Sequence, residues 1–414
     1  TMVMEIPEKG RPWDELGPEM EAMRGHDLDW KRGRHGAFVW YANDELEHVL
    51  REAFGMFLVE NGLGVKAFPS IGRMESEVLA MVRGLLHGDE DSAGIFTSGG
   101  TESIFQGITA MREWARRERP EVHRPEIVAP RSAHPALNKA AHLLGMEVKR
   151  VAVGRDYRAD PVAIERAIGP DTVGMYASAP SYSLGMVDPI PELGAIAAER
   201  GLWLHVDACV GGILAPFVRE VGYTVPAFDF GVPGVTSISA DLHKSGYAAK
   251  PASTVTFRTR EQREFARYTF DDWPSGMYSS LTFTGTRPGG AIAAAWAALN
   301  FLGRDGYREI AAASMRAKER VIEGISKIEG LRVHGTPPLY AFAYGVEGVE
   351  MGTVAGLMVR QGWYSGQTTE PNGIHVMATP VHESSAEEYV AAVAACVTEA
   401  RKGPGGGTGQ ASYT

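Results

Sequence analysis

Residues 237–250 read SISADLHKSGYAAK. The run starts as a strand of small residues and ends by setting His243 and Lys244 side by side, two positions before Gly246. A surface loop with two polar side chains would produce that pattern. So would a strand that delivers a buried amine for covalent chemistry, and the neighbouring sequence has to decide between them.

Working outward, short apolar runs alternate with helical patterns. EIVAP (126–130), TVGMYASAP (172–180), LWLHVDA (202–208), VTSISAD (235–241) and STVTFR (253–258) have strand length and composition. Between them PALNKAAHLLG (135–145), PVAIERAIG (161–169) and IPELGAIAAERG (190–201) read as helices, two opening at Pro and all three ending in Gly. That rhythm predicts an α/β fold with a large, mostly parallel sheet covered by helices on both faces. Beyond about residue 300 the pattern changes to a long amphipathic helix near 306–330, strands at 339–346 and 373–379, and a terminal helix at 385–402, a smaller α+β domain. The expected organisation is an N-terminal segment 1–60, a large domain 61–300, a small C-terminal domain 301–402 and a Gly-rich tail 403–414.

Composition narrows the function. The 414 residues carry 41 Lys+Arg against 51 Asp+Glu, a net charge of −10, without a long basic cluster, which argues against nucleic acid and for a small-molecule partner. The first residues are too polar for a signal peptide, and the apolar run at 291–303 is too short to span a bilayer, so no membrane anchor is expected. Cys209 and Cys396 lack metal-ligand spacing, which fits a reducing cytoplasm and no bound metal.

In open α/β sheets, ligands bind beyond the carboxyl ends of the strands, and four loaded stretches fall there. FTSGGTES (96–103) runs a strand end through Gly99, Gly100 and Thr101 into a helix, which suits a phosphate or, more plainly, a helix cap. Asp207 ends an apolar strand, where a carboxylate either caps the next turn or meets a cation such as a protonated ring nitrogen. His134 follows a strand and could lie against a flat ring or be structural. Lys244 completes the set. Phosphate cradle, acid, flat side chain and amine are together the requirements of pyridoxal 5′-phosphate (PLP), which a lysine holds as a Schiff base.

The motifs TSGGTESI, PEIVAPRSAH, NKAA, HVDACVGG, GVTSISADLHKSGYAAK, DDWPSGMYSS and GTRPGG, in this order, resemble those of the PLP-dependent group II decarboxylase-like family, and within it the sphingosine-1-phosphate lyases. The resemblance covers roughly residues 36–380. It implies a fold-type-I PLP enzyme and a homodimer with its active sites at the subunit interface. It makes Lys244 the Schiff-base lysine, Asp207 the partner of the pyridine nitrogen and His134 the ring-stacking residue. Gly100, Thr101 and His243 would contact the cofactor phosphate, while Thr286 and Tyr278 would serve the neighbouring subunit's site.

Departures from the family pattern fall where a substrate phosphate would bind. Gly64 stands at a position commonly held by His, Trp40 aligns with a Tyr, and only Lys250 of that set is kept. The stretch around Tyr182 and Leu184 also differs. The expected activity is retro-aldol cleavage of a β-hydroxy amine or amino acid with a changed substrate site, with Tyr278, Tyr182 or the cofactor phosphate as base; the alternative is an amino-acid decarboxylase. An aminotransferase is disfavoured because residues 362–380 contain no Lys or Arg to clamp a carboxylate. A non-catalytic scaffold would have no need to keep all four stretches.

Overall fold

The structure, a computed structural model, describes residues 4–403, so the predicted tail lies outside the described residues apart from Gly403. Seven strands make the principal sheet: β1 (Ala93–Thr97), β2 (Glu126–Pro130), β3 (Glu147–Val151), β4 (Thr172–Ser178), β5 (Trp203–Asp207), β6 (Val235–Ala240) and β7 (Ser253–Phe257). Their spatial order is β1-β7-β6-β5-β4-β2-β3. Neighbouring strands pair in parallel from β6 through to β3, and β7 alone runs against its neighbours β1 and β6. Every residue of β4, β5, β6 and β7 is buried, because helices cover both faces, and this is why these strands read as unbroken small or apolar runs. The reversal of β7 brings its first residue, Ser253, to the edge where the parallel strands end, opposite Thr97.

Two predicted helices end at Gly145 and Gly201, both in the left-handed conformation that a residue with a Cβ disfavours. The third, Pro161–Ala167, is capped at its start by Asp160 and stops at Ile168, one residue short of the predicted Gly169. The apolar run at 291–303 and the amphipathic helix predicted after it form one long helical run, Gly289–Ile325, broken at Gly303 (φ 54°, ψ −169°). Its first half is buried around Ala291–Ala295. The run packs on helices Asp44–Met56, Pro69–Leu85 and His382–Ala400 and so joins the N-terminal segment to both sheets.

An exposed hairpin, β8 (Tyr268–Phe270) with β9 (Tyr278–Ser280), lies between the two sheets in the chain. The smaller sheet holds β10 (Leu331–Val333), β11 (Ala341–Val346), β12 (Gly366–Thr369) and β13 (Asn372–Met377) in the antiparallel order β10-β11-β13-β12. It has its own core of residues such as Phe342, Tyr344, Trp363 and Cys396. Among the described residues no helix is long and apolar enough to cross a membrane.

Candidate active site

The carboxyl ends of β1, β2, β4, β5 and β6 converge on a cavity of about 320 Å³. Its lining includes Gly100, Thr101, His134, Tyr182, Asp207, His243 and Lys244, seven residues singled out from the sequence, together with Glu102, Cys209 and Asp241. The other five candidates, Trp40, Gly64, Lys250, Tyr278 and Thr286, do not line it.

At the end of β5, Asp207 is buried, yet its oxygens are well supplied with donors. Oδ2 accepts from the Tyr176 hydroxyl at 2.6 Å, and Oδ1 accepts from the Cys209 amide at 3.1 Å and from Ser239 Oγ at 3.4 Å. Burial alone would raise its pKa, but nearby His134 and these donors outweigh burial, so the pKa lies below the usual value and the group is an anion. His134 is fixed by a hydrogen bond from the Ala136 amide to Nδ1 (3.1 Å), which leaves the proton on Nε2. Burial lowers its pKa, with the Asp207 carboxylate acting against that. The loop before it is held by Arg150, whose guanidinium donates to the carbonyls of Arg131 and Ala133. Tyr182 meets the His134 ring edge-on, 5.8 Å between centroids.

The phosphate-loop reading of FTSGGTES also has a geometric basis. Gly99 occupies the N-cap of helix Gly100–Glu118, so Thr101 sits in the first turn and is not itself the cap. The helix's first N–H groups and its positive dipole end face the cavity. Gly100 must lack a side chain: a Cβ there would lie 2.8 Å from Asp241 Oδ2 and 2.9 Å from Cys209 Sγ. His243 accepts the Ala252 amide at Nδ1 (3.0 Å), and burial keeps it neutral, so its Nε2–H is available as a donor. The backbone amides, Thr101 and His243 are a donor set that fits a phosphate dianion, and among the described residues Lys244 is the only Lys or Arg lining the cavity.

Lys244 Nζ lies 2.9 Å from Asp241 Oδ2. Burial would depress its pKa, but Asp241, Cys209 and Asp207 outweigh that and raise it. The lysine of the opening stretch is therefore a buried amine with acidic neighbours, and the surface-loop reading of SISADLHKSGYAAK is excluded.

Sequence reasoning missed three residues. Tyr176 fixes Asp207 from within the adjacent strand β4. Asp241 pairs with Lys244. Glu102 accepts at Oε2 from the Ser98 amide (2.7 Å) and hydroxyl (2.5 Å), and at Oε1 from the amides of Phe283 (3.0 Å) and Thr284 (3.4 Å). With Gln106, which donates to the Leu281 carbonyl at 2.9 Å, it ties the loop before Thr286 to the helix at the cavity. Glu102 lies inside the motif that carries the phosphate loop, but its second partner is 181 residues away, and nothing local signals it.

The remaining candidates sit outside. Trp40 is half-buried against the main core. Gly64 donates its amide to Asn61 Oδ1 at 2.9 Å. Lys250 Nζ donates to the Phe38 carbonyl at 3.3 Å, and its pKa is lowered by desolvation and by Lys244. Tyr278 lies on the exposed hairpin and Thr286 in the exposed loop after it.

Residues 28–334 match the pyridoxal-dependent decarboxylase conserved domain. The chain belongs to this family. Among curated relatives, the sphingosine-1-phosphate lyase of Oryza sativa is 36% identical over 98% of this chain and 76% of its own length. A probable L-aspartate decarboxylase of Pyrococcus furiosus is 35% identical over 79% of this chain and 86% of its own length. The solved sphingosine-1-phosphate lyase of Burkholderia pseudomallei superposes with a TM-score of 0.92 at 37% identity, covering 97% of this chain and 94% of that one. The chain is thus a PLP-dependent lyase, and the cavity's donors and amine fit that cofactor.

Proposed function

We propose that this family member cleaves the Cα–Cβ bond of a β-hydroxy amine or amino acid in a retro-aldol reaction, acting as a cytoplasmic homodimer. The observation that carries the reading is the placing of Lys244, Asp207, His134 and the Gly100 helix start around one cavity, in a chain similar over nearly its whole length to proteins named as sphingosine-1-phosphate lyases. Bound PLP supplies an electrophilic aldehyde and an electron-accepting pyridine ring.

Each residue then has a task. Lys244 offers the amine that ties the cofactor down. Asp207, held anionic by Tyr176 and the Cys209 amide, keeps a proton on the ring nitrogen. His134 provides a flat face, and the Gly100 and Thr101 amides with His243 Nε2–H hold the phosphate. Tyr182 lines the cavity and can take the β-hydroxyl proton from within the chain; Tyr278 reaches a site only from a second copy. Exposed Tyr268, Phe270, Trp273, Met277, Tyr278 and Phe283 supply an apolar surface suited to that second copy. Thr286, in the same segment, would touch the neighbouring cofactor. Two free, buried cysteines suit the reducing cytoplasm.

The substrate is proposed to lack a phosphate. Gly64 stands where a His donor is expected and Trp40 where a Tyr hydroxyl is, and Lys250 is one cation with a carbonyl partner rather than a donor cluster. The test is a panel of β-hydroxy amines, their phosphates and amino acids, assayed for aldehyde and carbon dioxide. Aldehyde release from an unphosphorylated β-hydroxy substrate is expected. Carbon dioxide without aldehyde would favour the decarboxylase reading, which the aspartate decarboxylase relative keeps in view. Cleavage of a long-chain-base phosphate in preference to every unphosphorylated compound would sink the changed-substrate reading.

A further inference from the structure

Asp241 follows the last residue of β6 and is fully buried. Its Oδ1 accepts from Ser253 Oγ, the residue that the reversed strand β7 brings to this edge. Ser253 Oγ is 2.7 Å from Ser103 Oγ, and Ser103 Oγ is 2.6 Å from Thr97 Oγ1. An ionised carboxylate can only accept, and each hydroxyl has one proton. Ser253 must therefore donate to Asp241, Ser103 to Ser253 and Thr97 to Ser103, so the whole buried row points one way. The row fixes the carboxylate with its other oxygen, Oδ2, turned to Lys244 Nζ at 2.9 Å; His243 Nε2 is farther off at 3.7 Å.

The remaining titratable groups near Lys244 are Asp207, Cys209, His134, His243, Lys250 and Tyr340. Asp207 already serves Tyr176, the Cys209 amide and Ser239. Both histidines take a backbone amide at Nδ1 and hold their proton at Nε2. Burial raises the pKa values of Cys209 and Tyr340, so both stay protonated, and Lys250 is itself a cation. Only Asp241 presents a carboxylate oxygen in contact with Nζ.

We propose that Asp241 is the proton acceptor and donor for Lys244, a catalytic role resting on the reading of Lys244 as the cofactor lysine. In the resting chain it holds the amine as an ammonium ion. On cofactor capture the carboxylate takes one ammonium proton. The neutral amine forms a C=N bond to the aldehyde carbon, and its last two protons leave with the aldehyde oxygen as water. Asp241 passes that proton on to the linked nitrogen and becomes a carboxylate again, and when a substrate amine displaces Nζ from that carbon the proton ends on the freed lysine. No oxidant or reductant is needed.

The test is the visible spectrum of the PLP-loaded protein as a function of pH. A buried carboxylate beside the linked nitrogen stabilises its protonated form, so Asp241→Asn is expected to lower the pH midpoint of the spectral change by at least about one unit. Ser253→Ala, which keeps both charges and removes the bond that aims the carboxylate together with the Ser103 contact behind it, is expected to lower it by less; it decides the matter if Asp241→Asn does not fold. An unchanged midpoint in a variant that binds cofactor at wild-type stoichiometry overturns the role of Asp241. Failure of borohydride to trap cofactor on Lys244 in the wild type overturns the lysine assignment and this proposal together, an outcome distinct from the first.

Discussion

On the floor of the cavity, Asp207, Asp241 and Lys244 hang from the ends of β5 and β6, strands in which every residue is buried; outside its lining, in a surround termed the rim, Trp40, Gly64, Lys250 and Tyr278 sit on loops and an exposed hairpin. The floor is cross-tied: Tyr176 to Asp207, Ser253 to Asp241, and Glu102 to both the phosphate loop and residues 283–284. Lys250 has one carbonyl partner, and Gly64 is held through its backbone, its amide on Asn61 and its carbonyl on the amides of Ala67 and Phe68, none of which a side chain there would replace. A floor held from several sides can keep one chemistry while the rim changes, because a rim substitution breaks few bonds. On the proposed reading, cofactor chemistry and substrate choice are separable in this chain, and substitutions at each level put that to the test.

Removing the amine should have the largest effect. Lys244→Ala is expected to abolish the cofactor's lysine-linked absorption band and to lower kcat/KM by at least about 10⁴-fold, since the nucleophile itself is lost. A surviving band would break the comparison at its root. Next, Asp207→Asn keeps the shape but not the charge, and kcat should fall about 10²- to 10³-fold, as when one preorganised electrostatic contact is lost, with the lysine linkage still formed.

Rim changes should be smaller. If the substrate carries a phosphate bound by Lys250, Lys250→Ala would remove a charge-assisted bond of about 1.5–3 kcal/mol, roughly a 10- to 150-fold loss. For an unphosphorylated substrate we expect less than about tenfold in kcat/KM, near the low end of that range or below it. The smallest effect is expected at Gly64. A Cβ there meets nothing closer than 3.6 Å, so Gly64→His should change stability by no more than about 0.5 kcal/mol, read from denaturant unfolding. A larger loss would mean that the rim is as tightly built as the floor.

Legibility followed the same division. The floor was readable because parallel strands buried on both faces write themselves as apolar runs, and a charged residue at the end of such a run stands out, as Asp207 and Lys244 did. β3 (Glu147–Val151) is not legible in the sequence: at the sheet edge Glu147 and Lys149 are exposed, and Arg150 at the next, half-buried position breaks the alternation that would mark a strand. The hairpin around Tyr278 was missed as a hairpin because its three-residue strands bury almost nothing. Asp241 stood in the first stretch to be read, but its role depends on Ser253, Ser103 and Thr97, which come from two other strands and a helix.

Local sequence determined which residue types end each buried strand, and with them the family and the cofactor, because burial on both faces and the needs of an amine, an acid and a phosphate all act over a few residues. Only the tertiary structure decided how those groups are charged and aimed. Lys244 meets Asp241 only three residues away, but the oxygen of Asp241 that faces it is set through Ser253 by a row of hydroxyls that reaches Ser103, 150 residues from Ser253, and Glu102 is held by Phe283, 181 residues away. Electrostatics and hydrogen bonding in a buried cavity answer to those distances, and no local pattern in the chain encodes them.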